Sequence, residues 1–249
     1  MIAPKLHCLG KLPPRRDDRT LRLASYIRTI QPAAPTVCDW TGKVPTWPMF
    51  ANDTLGDCTI AAAGHLVDSW TTYAQGKEAS ITDAAIVAAY SAIGGYVPGN
   101  PDTDRGLVEL DVLKFWRTTG IAGHTIGAFA AVSPGDSRLV KAAIFLFGGI
   151  YAGVLLPNSA QSQEVWDVTS GVDAVPASWG GHAISIQGYD AGGLTCVTWG
   201  RTQRMTWKWW ETYCDECYAC LSNDFIRAGH NPLGVDVATL RADLAAVTS

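Results

Sequence analysis

The chain has 249 residues, of which 47% are apolar and 17% are charged, and it carries a formal net charge of −4. That is enough apolar material for one sizeable core, built as a single large domain or as two lobes, and it excludes a disordered chain. The negative charge argues against nucleic acid as the main partner, and the longest apolar run (142–156) is too short to span a membrane and contains a Gly-Gly pair.

The first 48 residues differ from the rest of the chain in charge and in proline content. Residues 1–30 carry seven Lys or Arg side chains against Asp17 and Asp18, a balance of +5 that leaves −9 for the remainder. We therefore expect this basic arm (residues 1–48) to dock on the acidic body or on a protein partner. It lacks the apolar core of a secretory signal, and seven cysteines are too few for a disulfide scaffold. The sequence thus predicts a protein made in a reducing compartment, with a cytoplasmic location.

Helical patterns come first along the chain. Acidic residues at its start predict a helix over 17–27 within the arm. Asp57 is placed to cap the next helix, and glycines or acidic residues mark the ends of the others. Helices are predicted over 56–74, 81–93, 107–120 and from Asp136 to Phe147.

Short β-rich runs, bounded by Gly, Pro or Asp, follow the helices. They cover 149–157, 182–190, 194–200 and 217–222, and Thr206 is placed to cap a short tryptophan-rich helix before the last of them. Helices followed by strands predict an α+β fold with two segregated lobes and a ligand-binding cleft between them. We expect a single domain over 49–249, with a helical lobe over about 49–135 and a β lobe over about 136–249.

One cysteine and one histidine occupy positions that suit a catalytic nucleophile and its base. Cys58 opens the helix predicted over 56–74, and His182 opens a strand directly after Gly180-Gly181. A helix N-terminus and a nearby imidazolium both favour a thiolate, and a small residue such as Gly181 lets a substrate backbone come close. On these two residues alone, the ordinary alternative of a buried thiol and a core histidine is favoured.

Further motifs change that balance, because residues 36–200 resemble the papain-like cysteine peptidases. Asp39-Trp40 match the Asp-Trp pair that begins the mature enzymes, and Asn52 stands six residues before Cys58, where the family usually has Gln. The run GGHAISIQGYD is similar to the family's histidine strand, and Trp199-Gly200 match the Trp-Gly that shields the histidine. The N-terminal run LGKLPPRRDDRTL is closer to bacterial than to plant members.

The resemblance implies a fold and a chemistry. The fold has a helical N-terminal lobe and an antiparallel β-sheet or barrel as C-terminal lobe, with the active-site cleft between them. The chemistry is that of a peptidase or amidase acting on peptides or proteins through a thiolate–imidazolium pair. Cys58 would attack the carbonyl carbon, and His182 would take and return the proton. Asn52 and the Cys58 N–H would hold the oxyanion.

The remaining site residues have supporting roles in this prediction. Trp199 would screen the histidine from water, Asp57 would cap the helix that Cys58 opens, and Gly181 would let the substrate backbone come close. No metal or cofactor is expected, because the Cys-x-x-Cys-x-x-Cys spacing at 214–220 is better explained by a helix end that runs into a strand.

Two departures from the family pattern keep an alternative open. The family's orienting Asn falls at Val197, which cannot accept a hydrogen bond from imidazole, so Asp190, Gln187 or a backbone carbonyl would have to replace it. The 48 residues before the match are also too few for the family's long inhibitory pro-segment. The alternative is a catalytically weakened scaffold that acts as a binding or structural protein, such as a phage virion component. A cleft filled by residues 1–48 or by the tryptophan helix would favour it; a transglutaminase-like acyl transfer is a third reading.

Overall fold

The computed structural model describes residues 7–27, 33–234 and 237, which fold into five α-helices and nine β-strands. The helices are α1 (Cys58–Gln75), α2 (Asp83–Gly94), α3 (Glu109–Thr118), α4 (Ser137–Phe147) and α5 (Trp207–Tyr213). The strands are β1 (Leu21–Arg22), β2 (Cys38–Asp39), β3 (Ile126–Ala131), β4 (Ile150–Leu156), β5 (Val165–Trp166), β6 (Gly180–Tyr189), β7 (Gly193–Thr198), β8 (Arg201–Thr206) and β9 (Cys214–Ser222). The predicted α+β fold class is therefore confirmed.

The helix ends follow the local signals in the sequence, with one exception. The side chains of Thr82, Asp136 and Thr206 accept hydrogen bonds from backbone N–H groups in the first turns of α2, α4 and α5. Asp57 occupies the N-cap position of α1, but its side chain makes no capping bond. The predicted cap is wrong: the backbone of Asp57, with φ −97° and ψ 17°, is outside the extended conformation in which an N-cap side chain reaches the first N–H groups of the helix.

A single mixed sheet forms the other part of the molecule. Its strand order is β1-β3-β9-β4-β6-β7-β8-β5, and β2 adds to β6. All pairs are antiparallel except β1 with β3 and β5 with β8. Helix α1 packs on β6 and is buried from Cys58 to Thr71, so its N-terminus lies against the sheet.

The helix expected over 17–27 is absent from the structure. Leu21–Arg22 instead pair in parallel with Ala130 and Ala131 of β3, and one short 3-10 turn follows at Leu23–Ser25. Asp17 does not start a helix, because its carboxylate accepts hydrogen bonds from Arg19 and Lys114. Strand pairing and the burial of Leu23 in the core outweigh the weak local preference for helix.

None of the helices in the described part of the chain combines the length and the apolar character needed to cross a bilayer.

Candidate active site

Cys58 and His182 lie where helix α1 meets strand β6. Cys58 is the first residue of α1, and only 1% of it is exposed. His182 is fully buried in β6, opposite Val154 of β4. The backbone N–H of Ala183 donates a hydrogen bond to the Cys58 Sγ at 3.4 Å. The packing of helix on sheet therefore places the thiol beside the residue that follows the histidine.

His182 has an orienting partner, and it is Thr198. The His182 Nε2 lies 2.7 Å from the Thr198 Oγ1. The partners considered from the sequence are engaged elsewhere: the Gln187 side chain donates to the His65 carbonyl, and Asp190 pairs with Arg204. A hydroxyl can donate or accept, so Thr198 fixes the direction of the ring, and the atom that donates sets its tautomer.

Thr198 was not predicted, because the family's orienting Asn matches Val197, one residue earlier. Neighbouring side chains of a strand point to opposite faces, so only one of the two can reach His182. The alternation of β7 could have pointed to Thr198, a hydrogen-bonding residue next to the valine.

Trp199 covers the other face of the histidine. Its ring stacks on His182 with centroids 4.1 Å apart and planes inclined by 16°. Trp166 packs edge-on against Trp199, and Trp209 of α5 stacks on Trp166 at 4.7 Å. The tryptophan helix thus contributes to the wall behind the histidine.

Residues 7–12 run through the cleft, and we call them the cleft segment. The N–H of Cys8 donates to the Asn52 carbonyl at 3.1 Å, and that of Lys11 donates to the Gly181 carbonyl at 3.2 Å. On the opposite wall, Leu107 donates to the Gly10 carbonyl at 2.8 Å and accepts from the N–H of Leu12 at 2.9 Å. Both walls of the cleft are therefore hydrogen-bonded to part of the basic arm.

Close approach of glycines allows this fit. A Cβ atom on Gly10 would lie 1.7 Å from the carbonyl oxygen of Gly56, and one on Gly181 would lie 2.3 Å from the carbonyl oxygen of Lys11. Both contacts are backbone on backbone, so neither can be relieved by rotating a side chain.

Asn52 faces the cleft segment. Its Nδ2 donates to the Leu55 carbonyl at 3.0 Å and to the Cys8 carbonyl at 3.3 Å, and the Trp199 Nε1 donates to the same Cys8 carbonyl at 3.3 Å. One N–H of the amide is thus held within its own turn, while the other reaches an oxygen atom in the cleft.

Burial keeps the thiol and the imidazole neutral in this arrangement. Desolvation raises the pKa of Cys58 to about 12, against the backbone N–H of Ala183, and the charge of Asp57 raises it further. Desolvation lowers the pKa of His182 to about 3. At pH 7 a neutral thiol and a neutral imidazole are therefore favoured. The thiolate–imidazolium pair expected from the sequence does not fit this state, because both side chains are buried.

Other candidate residues lie apart from the cleft. His124 pairs with Asp224, with 2.9 Å between Nδ1 and Oδ2, and His65 contacts the Pro48 carbonyl. All seven cysteines are free thiols. Within the described ranges, no group of three or more His, Cys, Asp or Glu side chains could hold a metal ion.

Comparison with known proteins identifies the fold. No protein-family model matches the sequence, and no curated protein does. Similar solved structures include xylellain, a cysteine protease from Xylella fastidiosa, with 15% identity, coverage of 89% of this chain and 98% of that chain, and a TM-score of 0.66. Procathepsin B from Trypanosoma congolense has 12% identity, coverage of 87% of each chain and a TM-score of 0.54. Digestive procathepsin L 3 of Tenebrio molitor has 12% identity, coverage of 87% and 76%, and a TM-score of 0.56.

These similarities confirm the papain-like two-lobe fold that the motifs around Cys58 and His182 implied. The expected closeness to bacterial rather than plant members stays a prediction.

Proposed function

We propose that this chain, which has the fold of the papain-like cysteine proteases, is a cysteine peptidase or amidase that its own residues 7–12 hold inactive. The observation that carries the proposal is the contact between α1 and β6. It sets Cys58 at a buried helix N-terminus beside Ala183, while Thr198 orients the neighbouring His182 and Trp199 screens it. The natural substrate is a peptide or protein.

The reaction needs the cleft segment to leave. Water then reaches Cys58 and His182, and the desolvation that disfavours their charged forms is relieved. The N-terminus of α1 stabilises the thiolate. The His182 Nδ1 makes no hydrogen bond within the described part of the chain, so this nitrogen is available to take the thiol proton and return it to the leaving group.

Asn52 supplies the oxyanion donor in this mechanism. Its Nδ2 already donates to a carbonyl oxygen that lies in the cleft, that of Cys8. When a substrate replaces the cleft segment, the same N–H can donate to the oxygen of the tetrahedral intermediate, together with the backbone N–H of Cys58.

The position of the cleft segment explains why it inhibits and is not itself attacked. The Cys58 sulfur accepts a hydrogen bond from the backbone N–H of Ala183, and the backbone N–H of Gly10 is close enough to lower the pKa of the thiol. An N–H of the segment, and not a carbonyl carbon, is therefore presented to the nucleophile.

The filled cleft also favours a second candidate function, a binding or structural protein on a papain-like scaffold. In that case the segment from Cys8 to Leu12 would be a permanent part of the core, and Cys58 would never meet a substrate.

One substitution separates the two functions in the full-length protein. Gly10→Ala places a methyl group 1.7 Å from the carbonyl oxygen of Gly56 and should displace the cleft segment. Labelling by iodoacetamide at pH 7, resolved by mass spectrometry for each cysteine, should show Cys58 reacting at least ~10-fold faster in the variant than in the wild type. The variant should also hydrolyse peptides, and Cys58→Ala in the same background should abolish this.

Gly135→Ala is the matched control, since a Cβ atom there has open space around it. In this control, Cys58 should be alkylated at the wild-type rate, and peptide hydrolysis should equal that of the wild type. A folded Gly10→Ala protein whose Cys58 is labelled rapidly, yet which cleaves no peptide in a diverse library, would reject the peptidase and support the scaffold.

A further inference from the structure

The side chain of Lys11 fills a pocket beside the cleft. It is fully shielded from solvent, with its Nζ 2.8 Å from the Asp215 Oδ2 and 3.1 Å from the Glu216 Oε1. Its aliphatic part passes over Gly153 of β4, where an added Cβ atom would lie 1.9 Å from the lysine Cε. The absence of a side chain at Gly153 therefore makes room for the lysine stem.

The walls of this acidic pocket (Glu109, Asp215 and Glu216) come from two elements, the start of α3 and the start of β9. Glu109 is fully buried, and neither of its carboxyl oxygens has a hydrogen-bond partner within the described residues. Glu216 is held by the Tyr218 hydroxyl, which donates to its Oε2 at 2.8 Å. The pocket thus has more acceptor oxygens than Lys11 uses.

The electrostatics of the pocket suit a cation. Burial alone would lower the pKa of Lys11, but Glu109, Glu216 and Asp215 together raise it. Burial, followed by the charge of Glu216, raises the pKa of Glu109, while Lys11 opposes the rise. Without a positive charge, the carboxylates would be left desolvated and close to one another, which is strongly unfavourable.

The pocket opens where a substrate backbone would lie. The N–H of Lys11 donates to the carbonyl of Gly181, directly before His182, and its two neighbours bond to Leu107 on the other wall. Departure of the cleft segment frees these backbone groups and the acidic pocket together. An extended peptide that pairs with the same walls would therefore point a side chain into the pocket.

We propose that the acidic pocket of Glu109, Asp215 and Glu216 is a specificity pocket for a lysine or arginine side chain of the substrate, which Lys11 occupies in the inactive protein. This proposal rests on the proposed peptidase function. An apolar side chain would desolvate the carboxylates without compensation, and an acidic one would be repelled. A basic side chain would restore the ion pairs that Lys11 makes.

The test compares kcat/KM for a positional-scanning peptide set in which one position at a time is Lys, Arg, Leu or Glu. The enzyme is the full-length Gly10→Ala protein. At one position, Lys and Arg peptides should be cleaved about 10-fold or more faster than the Leu peptide, and the Glu peptide slowest. Asp215→Asn, added to this background, should reduce the Lys-to-Leu ratio at least about threefold. Glu211→Gln, which removes an exposed carboxylate on α5, is the control and should leave the ratio unchanged.

The outcomes separate the two proposals. Cleavage with no preference for a basic residue at any position, or a ratio that Asp215→Asn does not change, overturns the specificity pocket and leaves the peptidase in place. If no peptide is cleaved and Cys58 resists alkylation, the peptidase is overturned, and the specificity pocket falls with it.

Discussion

Asp57 should destabilise the folded protein at high pH, and Asp57→Asn should remove this effect. Burial raises the pKa of the Asp57 carboxyl from 3.8 to about 8, and neither of its oxygens has a hydrogen-bond partner among the described residues. A rise of this size corresponds to at most about 5–6 kcal/mol of folding free energy, out of the 5–15 kcal/mol that is typical of a domain. Relaxation of the structure and entry of water reduce that figure. We therefore expect the stability of Asp57→Asn relative to the wild type to rise by at least about 2 kcal/mol between low and high pH.

The direction of this pH dependence follows from the number of protons that the folded and unfolded states bind. Between pH 4 and pH 8 the folded state keeps the Asp57 proton, while the unfolded chain loses it, so stability falls as the pH rises through this window. The free energy of unfolding, measured in urea at pH 5, 7 and 9, should therefore favour Asp57→Asn over the wild type progressively more as the pH increases. Burial also raises the pKa of Asp68, to about 7. Both proteins contain Asp68, so its contribution cancels in the stability difference.

Asp83→Asn provides the control, since that carboxylate is exposed in the first turn of α2. Its effect should stay within about 1 kcal/mol at every pH. If the stability difference between Asp57→Asn and the wild type were the same at pH 5 and pH 9, the burial argument for Asp57 would be refuted.

Two further predictions concern histidines. Thr198→Val removes the hydrogen bond to the His182 Nε2. Thermal unfolding should show a loss of about 1–3 kcal/mol in stability, and kcat in the Gly10→Ala background should fall at least ~10-fold. Thr198→Ser keeps the hydroxyl and should retain most of the stability and most of kcat. Equal losses of stability and kcat in the two variants would contradict the role of the hydroxyl. The hydrogen bond with Asp224 raises the pKa of His124. The stabilisation of the fold by this pair is therefore present below pH 6.5 and is lost as the pH rises through the pKa of His124 in the folded protein. Asp224→Asn should cost about 1 kcal/mol or less at pH 5.5 and less at pH 9, with the imidazole titration followed by NMR; a larger loss at pH 9 would contradict this.

The sequence predicted those parts of the fold that local chemistry determines. Helices α1 to α5 have end signals that act within one or two turns, such as Thr82 for α2 and Thr206 for α5. Strand β3, with the sequence IGAFAA, and strand β8, with RTQRMT, show no clear apolar alternation. They become strands because of their neighbours in the sheet, so a local pattern could not reveal them.

In the candidate site, the placement of Cys58 and His182 was predictable and the surroundings of the pair were not. The place of Cys58 at a helix start and of His182 at a strand start could be read from spacing and resemblance. The path of residues 7–12 could not, because nothing near Lys11 in the sequence indicates that its partners are Asp215 and Glu216, some 200 residues away. Such long-range contacts form only in the complete tertiary structure.

Residues 7–12 are tethered to the cleft that they fill, through a chain that continues into β1 and its pairing with β3. A tethered ligand acts at an effective concentration that is on the order of millimolar for a short flexible link, and dilution of the protein does not change it. An external peptide has to compete with this local concentration, whatever the amount of protein present. The inactive state that we propose would therefore be a property of each single molecule, adjusted by the length and path of the tether and not by the abundance of the protein.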